Sequence, residues 1–145
     1  YYARYFTDRA SIVAKNQAYT AVFTRVNVRA EALQSKLQSA AKQIKQDVEA
    51  YQSDLSQINA DINSFNERAR SGEFSSQADF AVARSALQQR ISAINARQSS
   101  LNSRIKAYND DVATLKSLAV KADQLNQSIN GVAAPAGVNS GQSAQ

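Results

Sequence analysis

The stretch RSGEFSSQADF, residues 70–80, is the only clear interruption of helix-forming sequence between about residue 9 and residue 130. Gly72 can take the left-handed conformation that ends a helix. Ser76, with Asp79 three residues later, has the spacing of a capping box, Asp standing in for the usual Glu. Phe74 and Phe80 are placed to close over the end of an apolar seam beside Phe65. The stretch therefore reads as a turn between two helices. Glu73 and Phe74 are expected at its exposed tip, a candidate place for a partner contact.

On either side of this turn, apolar residues recur at alternating spacings of three and four, the signature of a coiled-coil seam. Before it run Ile12, Asn16, Tyr19, Phe23, Val26, Ala30, Leu33, Leu37, Ala40 and Ile44. One extra four-residue step leads to Val48, and the series resumes as Tyr51, Leu55, Ile58, Ile62 and Phe65. Such a step is a stutter, which locally unwinds a left-handed supercoil. After the turn run Leu87, Ile91, Ile94, Gln98, Leu101, Ile105, Tyr108, Val112, Leu115, Ala119 and Ala122, with Leu125 and Ile129 following after a slip.

Folding the chain back at residue 72 or 73 pairs seam positions whose numbers total about 145. Ile58 then meets Leu87, Tyr51 meets Ile94, and Ile44 meets Leu101. On one flank Asp47, Asp54 and Asp61 repeat every seven residues, as do Arg90, Arg97 and Arg104. In this alignment Asp54 faces Arg90 and Asp47 faces Arg97, as inter-helix ion pairs worth about 0.3–0.5 kcal/mol each. The other flank carries Gln52, Asn59, Gln88, Asn95, Asn102 and Asn109, either a solvated row or an amide ladder. Gln98, on the seam opposite Val48, is a candidate buried polar residue that would fix register.

The expected fold is all-α: a long antiparallel two-helix coiled-coil hairpin with a flexible C-terminal tail. Its expected parts are an aromatic and basic segment (1–8), helix 1 (9–70), a turn (71–76), helix 2 (77–130) and a Gly/Ala/Ser-rich tail (131–145). Thr7 or Asp8 would cap helix 1. Residues 19–29, YTAVFTRVNVR, alternate like a strand, but Phe23 and Val26 stay on the seam, which keeps them helical in this reading. Arms of 55–60 residues would be about 80–90 Å long at ~1.5 Å per residue.

Composition excludes several function classes. There is no Cys, His, Met or Trp, and only 4 Gly and 1 Pro in 145 residues. Thiol chemistry and a Cys/His zinc site are excluded. No phosphate-binding glycine loop, nucleophile elbow or HExxH is present. No catalytic residue, cofactor or metal ligand is expected, and the carboxylates, the adjacent Asp110 and Asp111 included, read as surface groups. Net charge is +5, but nucleic acid is not an expected partner, because the flank arginines are read as neutralised by aspartates. The start Tyr1-Tyr2 is not a usual translation start. It implies a processed chain or a piece of a longer one, and from it an extracytoplasmic, secreted or cell-surface location is expected. The opening YYARYF sets Tyr1, Tyr2, Tyr5 and Phe6 beside Arg4. It suits either a membrane surface or an aromatic contact with a neighbouring subunit.

The hairpin pattern resembles the helical-hairpin subunits of bacterial secreted and surface filaments, although the turn, SGEF, lacks the Trp of the WxG type. Residues 71–130 also resemble the Asn-rich coiled-coil segment that precedes metallopeptidase domains in some bacterial surface proteins. The HExxH of such a domain is absent here, so no peptidase activity is implied. Two functions follow as expectations. One is an exported, self-assembling structural subunit, which the small residues Ala86, Ala93 and Ala107 on one outer face would suit. The other is a coiled-coil spacer of a membrane-anchored or multidomain protein.

Overall fold

The computed structural model describes residues 2–133. They form two helices, α1 (Tyr2–Ser71) and α2 (Gln77–Ala133), and no strand among the described residues. Few Gly and Pro interrupt an Ala-, Gln-, Leu-, Lys- and Arg-rich chain, so each helix propagates at little local cost. Residues 19–29 are helical throughout. Val26 is buried and Phe23 half-buried, so packing overrides their β propensity.

The expected start of helix 1 at residue 9 is corrected, because α1 already runs from Tyr2. Neither Thr7 nor Asp8 acts as a cap. The Thr7 hydroxyl donates 2.8 Å to the Ala3 carbonyl one turn back, and Asp8 lies 3.9 Å from Arg4 on the preceding turn. Nothing in YARYF breaks a helix, so the segment simply adds turns. At the other end α2 passes residue 130 to Ala133, including Gly131. Tyr1 and residues 134–145, most of the expected tail, lie outside the described residues.

The turn has the chemistry its sequence implies. Gly72 sits at φ 70°, in the left-handed region. The Glu73 N–H then donates 3.0 Å to the Arg68 carbonyl, closing the six-to-one bond of a Schellman motif. On the far side the Ser76 hydroxyl accepts from the Asp79 N–H at 3.1 Å, capping α2. Phe65, Phe74 and Phe80 pack pairwise with ring centroids 5.2–5.4 Å apart, and the Arg68 guanidinium lies 4.3 Å over the Phe74 ring.

The chain divides into two compact units, Gln38–Asp110 and Tyr1–Leu37 with Asp111–Gln145. The first is a helical hairpin built around the turn. In the second, the early part of α1 packs against the late part of α2, with Val26, Leu37 and Leu118 as its buried residues. Leu118 was not on the expected seam, whereas Ala119, which was, is exposed. From Leu115 the covered positions are Leu118, Ala122, Leu125 and Ile129. The larger side chain takes the inner position, and the slip expected after Ala122 does not occur.

Candidate interaction surfaces

Within the hairpin unit the seam has a central row with a different kind of row on each side. The central row is Ile44, Tyr51, Ile58 and Phe65 on α1, and Phe80, Leu87, Ile94, Leu101 and Tyr108 on α2. Ile58 and Leu101 are buried, and the others half-buried. At about 100° per residue, a position three further along lies some 60° to one side of this row, and one four further along lies some 40° to the other. The first offset gives Asp47, Asp54 and Asp61 with Arg90, Arg97 and Arg104. The second gives Val48, Leu55 and Ile62 with Ile91, Gln98 and Ile105.

The charged row forms a ladder. Arg90 Nη1 donates to Asp61 Oδ2 at 2.6 Å, Arg97 Nη1 donates to Asp54 Oδ2, and Arg104 Nη1 donates to Asp47 Oδ2 at 2.5 Å. The expected pairing of Asp54 with Arg90 and Asp47 with Arg97 is therefore displaced by one heptad. Helix geometry explains why. The helix ends flanking the turn, Ser71 and Gln77, have numbers totalling 148, so residues level with each other total about 148. The observed pairs total 151, which sets each Asp ~4.5 Å nearer the turn than its Arg. Every Cα–Cβ bond tilts toward its own helix N-terminus, so in antiparallel helices these two side chains lean toward each other. In the expected alignment, totalling 144, they lean apart, and Asp61 and Arg104 have no partner in the ladder. The seam contact nearest the turn, Phe65 with Phe80, does total 145.

The hydrogen bond from Arg104 holds the Asp47 carboxyl below its ordinary value, aided by a second bond from Gln43.

The opposite row is more open than the seam spacing implies. Leu55, Ile91 and Ile105 are 37, 37 and 36% exposed. Gln98, expected to be buried, is exposed as well. Val48 and Ile62 on the same row are half-buried, so the row is covered unevenly along its length. A groove here is lined by Ala41, Ile44, Lys45, Ile105, Tyr108 and Asn109, and Lys45 sets a charge at its edge. Along the Leu55 row stand Gln52, Asn59, Gln88, Asn95, Asn102 and Asn109, all exposed. Ser56, Asn63, Ser85, Ser92 and Ser99 continue the surface outward. From Gln52 to Asn66 and from Ser85 to Ile105, this flank carries no formal charge.

In the other unit, the expected seam residues Phe23, Leu33, Val112 and Leu115 are half-buried. Asp111, expected to be plain surface, is bound by Lys36 Nζ at 3.0 Å. The N-terminal segment gathers five of the large apolar side chains that remain exposed: Tyr2, Tyr5, Phe6, Ile12 and Val13, at 48–75%. The heptad repeat announced the ladder residues, whereas the openness of Leu55, Ile91 and Ile105 leaves no mark on the repeat.

Among the described residues no group of three or more His, Cys, Asp or Glu converges as a metal site. No described helix is long and apolar enough to cross a membrane. Comparisons with protein-family models, curated proteins and solved structures returned no match.

Proposed function

We propose that this chain is a non-enzymatic structural protein, an exported coiled-coil hairpin subunit that associates with copies of itself. The observation that carries this reading is the uncharged flank around Leu55 and Ile91. A row of part-open aliphatic side chains bordered by Asn, Gln and Ser is complementary to itself. Amides and hydroxyls both donate and accept, so two copies related by a two-fold axis can satisfy each other. No like charges meet across such a contact. The ladder on the opposite flank spends its charges inside the hairpin, which leaves the amide flank for association.

Light scattering on the purified chain tests this. The expected result is a particle of several chain masses, which Leu55→Glu reduces toward one while helicity persists, because Leu55 is already more than a third open. A monomer at high micromolar concentration would reject the reading.

A second reading is a coiled-coil spacer that holds another module away from a membrane. The exposed aromatic residues and arginines of residues 2–13 favour it. A small, fixed assembly together with membrane attachment would select it over the homopolymer.

A further inference from the structure

We infer that the first turns of α1, residues 2–15, form an interfacial helix that docks on an anionic lipid surface. Among the described residues, five of the eleven exposed large hydrophobic side chains fall within these turns. They are ordered rather than scattered. Tyr5 and Phe6 stand four and three residues before Arg9, and Ile12 and Val13 stand three and four after it. These four side chains therefore surround Arg9 on one helix face. Tyr5 and Phe6 meet edge to face, with centroids 5.5 Å apart. Arg4, Ser11 and Lys15 project from the opposite face. Arg4, Arg9 and Lys15 against Asp8 leave the segment at +2.

Every residue from Tyr2 to Lys15 is exposed.

Arg9 decides between a membrane and a second copy as the occupant. Closing two copies over this face would bury a cation, and the nearest carboxylate, Asp8, points to the face where it meets Arg4. At a lipid surface the Arg9 stem lies along its apolar neighbours, and the guanidinium forks onto headgroup phosphate. Tyr and Phe lie at the headgroup boundary, as in other interfacial helices.

Flotation of the 145-residue chain with vesicles tests the inference. Phosphatidylcholine vesicles containing phosphatidylglycerol should recover on the order of tenfold more protein than phosphatidylcholine alone, and added salt should reduce the difference. The double variant Tyr5→Ser/Phe6→Ser should lose recovery while keeping its helical circular dichroism, because both side chains are exposed. Arg9→Gln should weaken recovery on anionic vesicles only. Equal recovery on both vesicle types, or recovery unchanged in the double variant, overturns the proposal. So does a double variant that lowers the particle mass in vesicle-free solution, because the face would then belong to a second copy. Leu55→Glu leaves this segment untouched, so failure of self-association and failure of lipid docking are read separately.

Discussion

Arg104 donates a 2.5 Å hydrogen bond to Asp47 across the two helices of the hairpin, although the seam spacing points Asp47 at Arg97. The difference of seven residues is invisible to the heptad pattern, since the charge ladder maps onto itself under that shift. What selects one register is the tilt of side chains toward each helix N-terminus and the chance to pair all three Asp with all three Arg.

Charge exchange distinguishes the two registers. Asp54→Arg should destabilise the hairpin, and Arg97→Asp in the same molecule should recover part of the loss. Arg90→Asp should recover less, although Arg90 borders the same groove as Asp54 and Arg97. The side chains of Asp54 and Arg97 are about half exposed, so the coupling should be about 0.2–1 kcal/mol. Urea unfolding of both double-mutant cycles provides the measurement. Stronger coupling to Arg90 than to Arg97 would restore the register that totals 144.

Acid should weaken the same ladder. The Asp47 carboxyl is held below its ordinary value of 3.8 by the bond from Arg104, so the folded state prefers the ionised form. A depressed folded pKa contributes stability at pH above the unfolded value, and that contribution is lost as pH falls through the folded value. Melting temperature should therefore decline as pH drops below ~4, and the part due to Asp47 should vanish in Arg104→Gln. An identical acid decline in that variant would remove Asp47 from the account.

Much of this was legible in the residues. Gly72, Ser76 and Asp79 placed the turn because each position there requires a particular backbone chemistry, and Phe65, Phe74 and Phe80 meet as their positions imply. The two-helix, all-α character followed from periodicity. The open positions of Leu55, Ile91, Gln98 and Ile105 did not, because a heptad repeat marks an apolar stripe without saying which of its edges faces the partner helix. Leu118 was missed for a related reason. A three-four count extended from residue 87 reaches Ala119, and only the larger volume of Leu118 argues for the neighbouring position. The early start of α1 went unread because Thr7 and Asp8 look like caps, whereas Thr7 back-bonds Ala3 within a continuous helix.

The uneven cover of the seam predicts unequal costs for two similar truncations. Ile58 is 2% exposed and central, so Ile58→Ala should cost about 2–5 kcal/mol. Leu55 is three residues away but on the open row, so Leu55→Ala should cost the isolated hairpin no more than about 1–2 kcal/mol. Chemical denaturation at low protein concentration, where association contributes least, compares them. Equal costs would mean that both rows face the core.

The tip separates backbone from side-chain contributions. A Cβ at Gly72 meets no atom within 4 Å, so Gly72→Ala tests conformation alone. With φ at 70°, the substitution should cost roughly 1–2 kcal/mol without creating a clash. Phe74→Ala leaves the backbone alone but removes two ring contacts and the face over which Arg68 sits. Each aromatic contact is worth about 0.5–1.5 kcal/mol beyond area, so this loss should be the larger, at about 2–4 kcal/mol. Ser76→Ala, which removes the cap on α2, should cost about 1 kcal/mol. Thermal unfolding should therefore rank Phe74→Ala as more damaging than Gly72→Ala or Ser76→Ala. If Phe74→Ala proved the mildest of the three, the aromatic cluster would not be what closes the hairpin, and Phe74 would be left as a tip residue free to meet a partner.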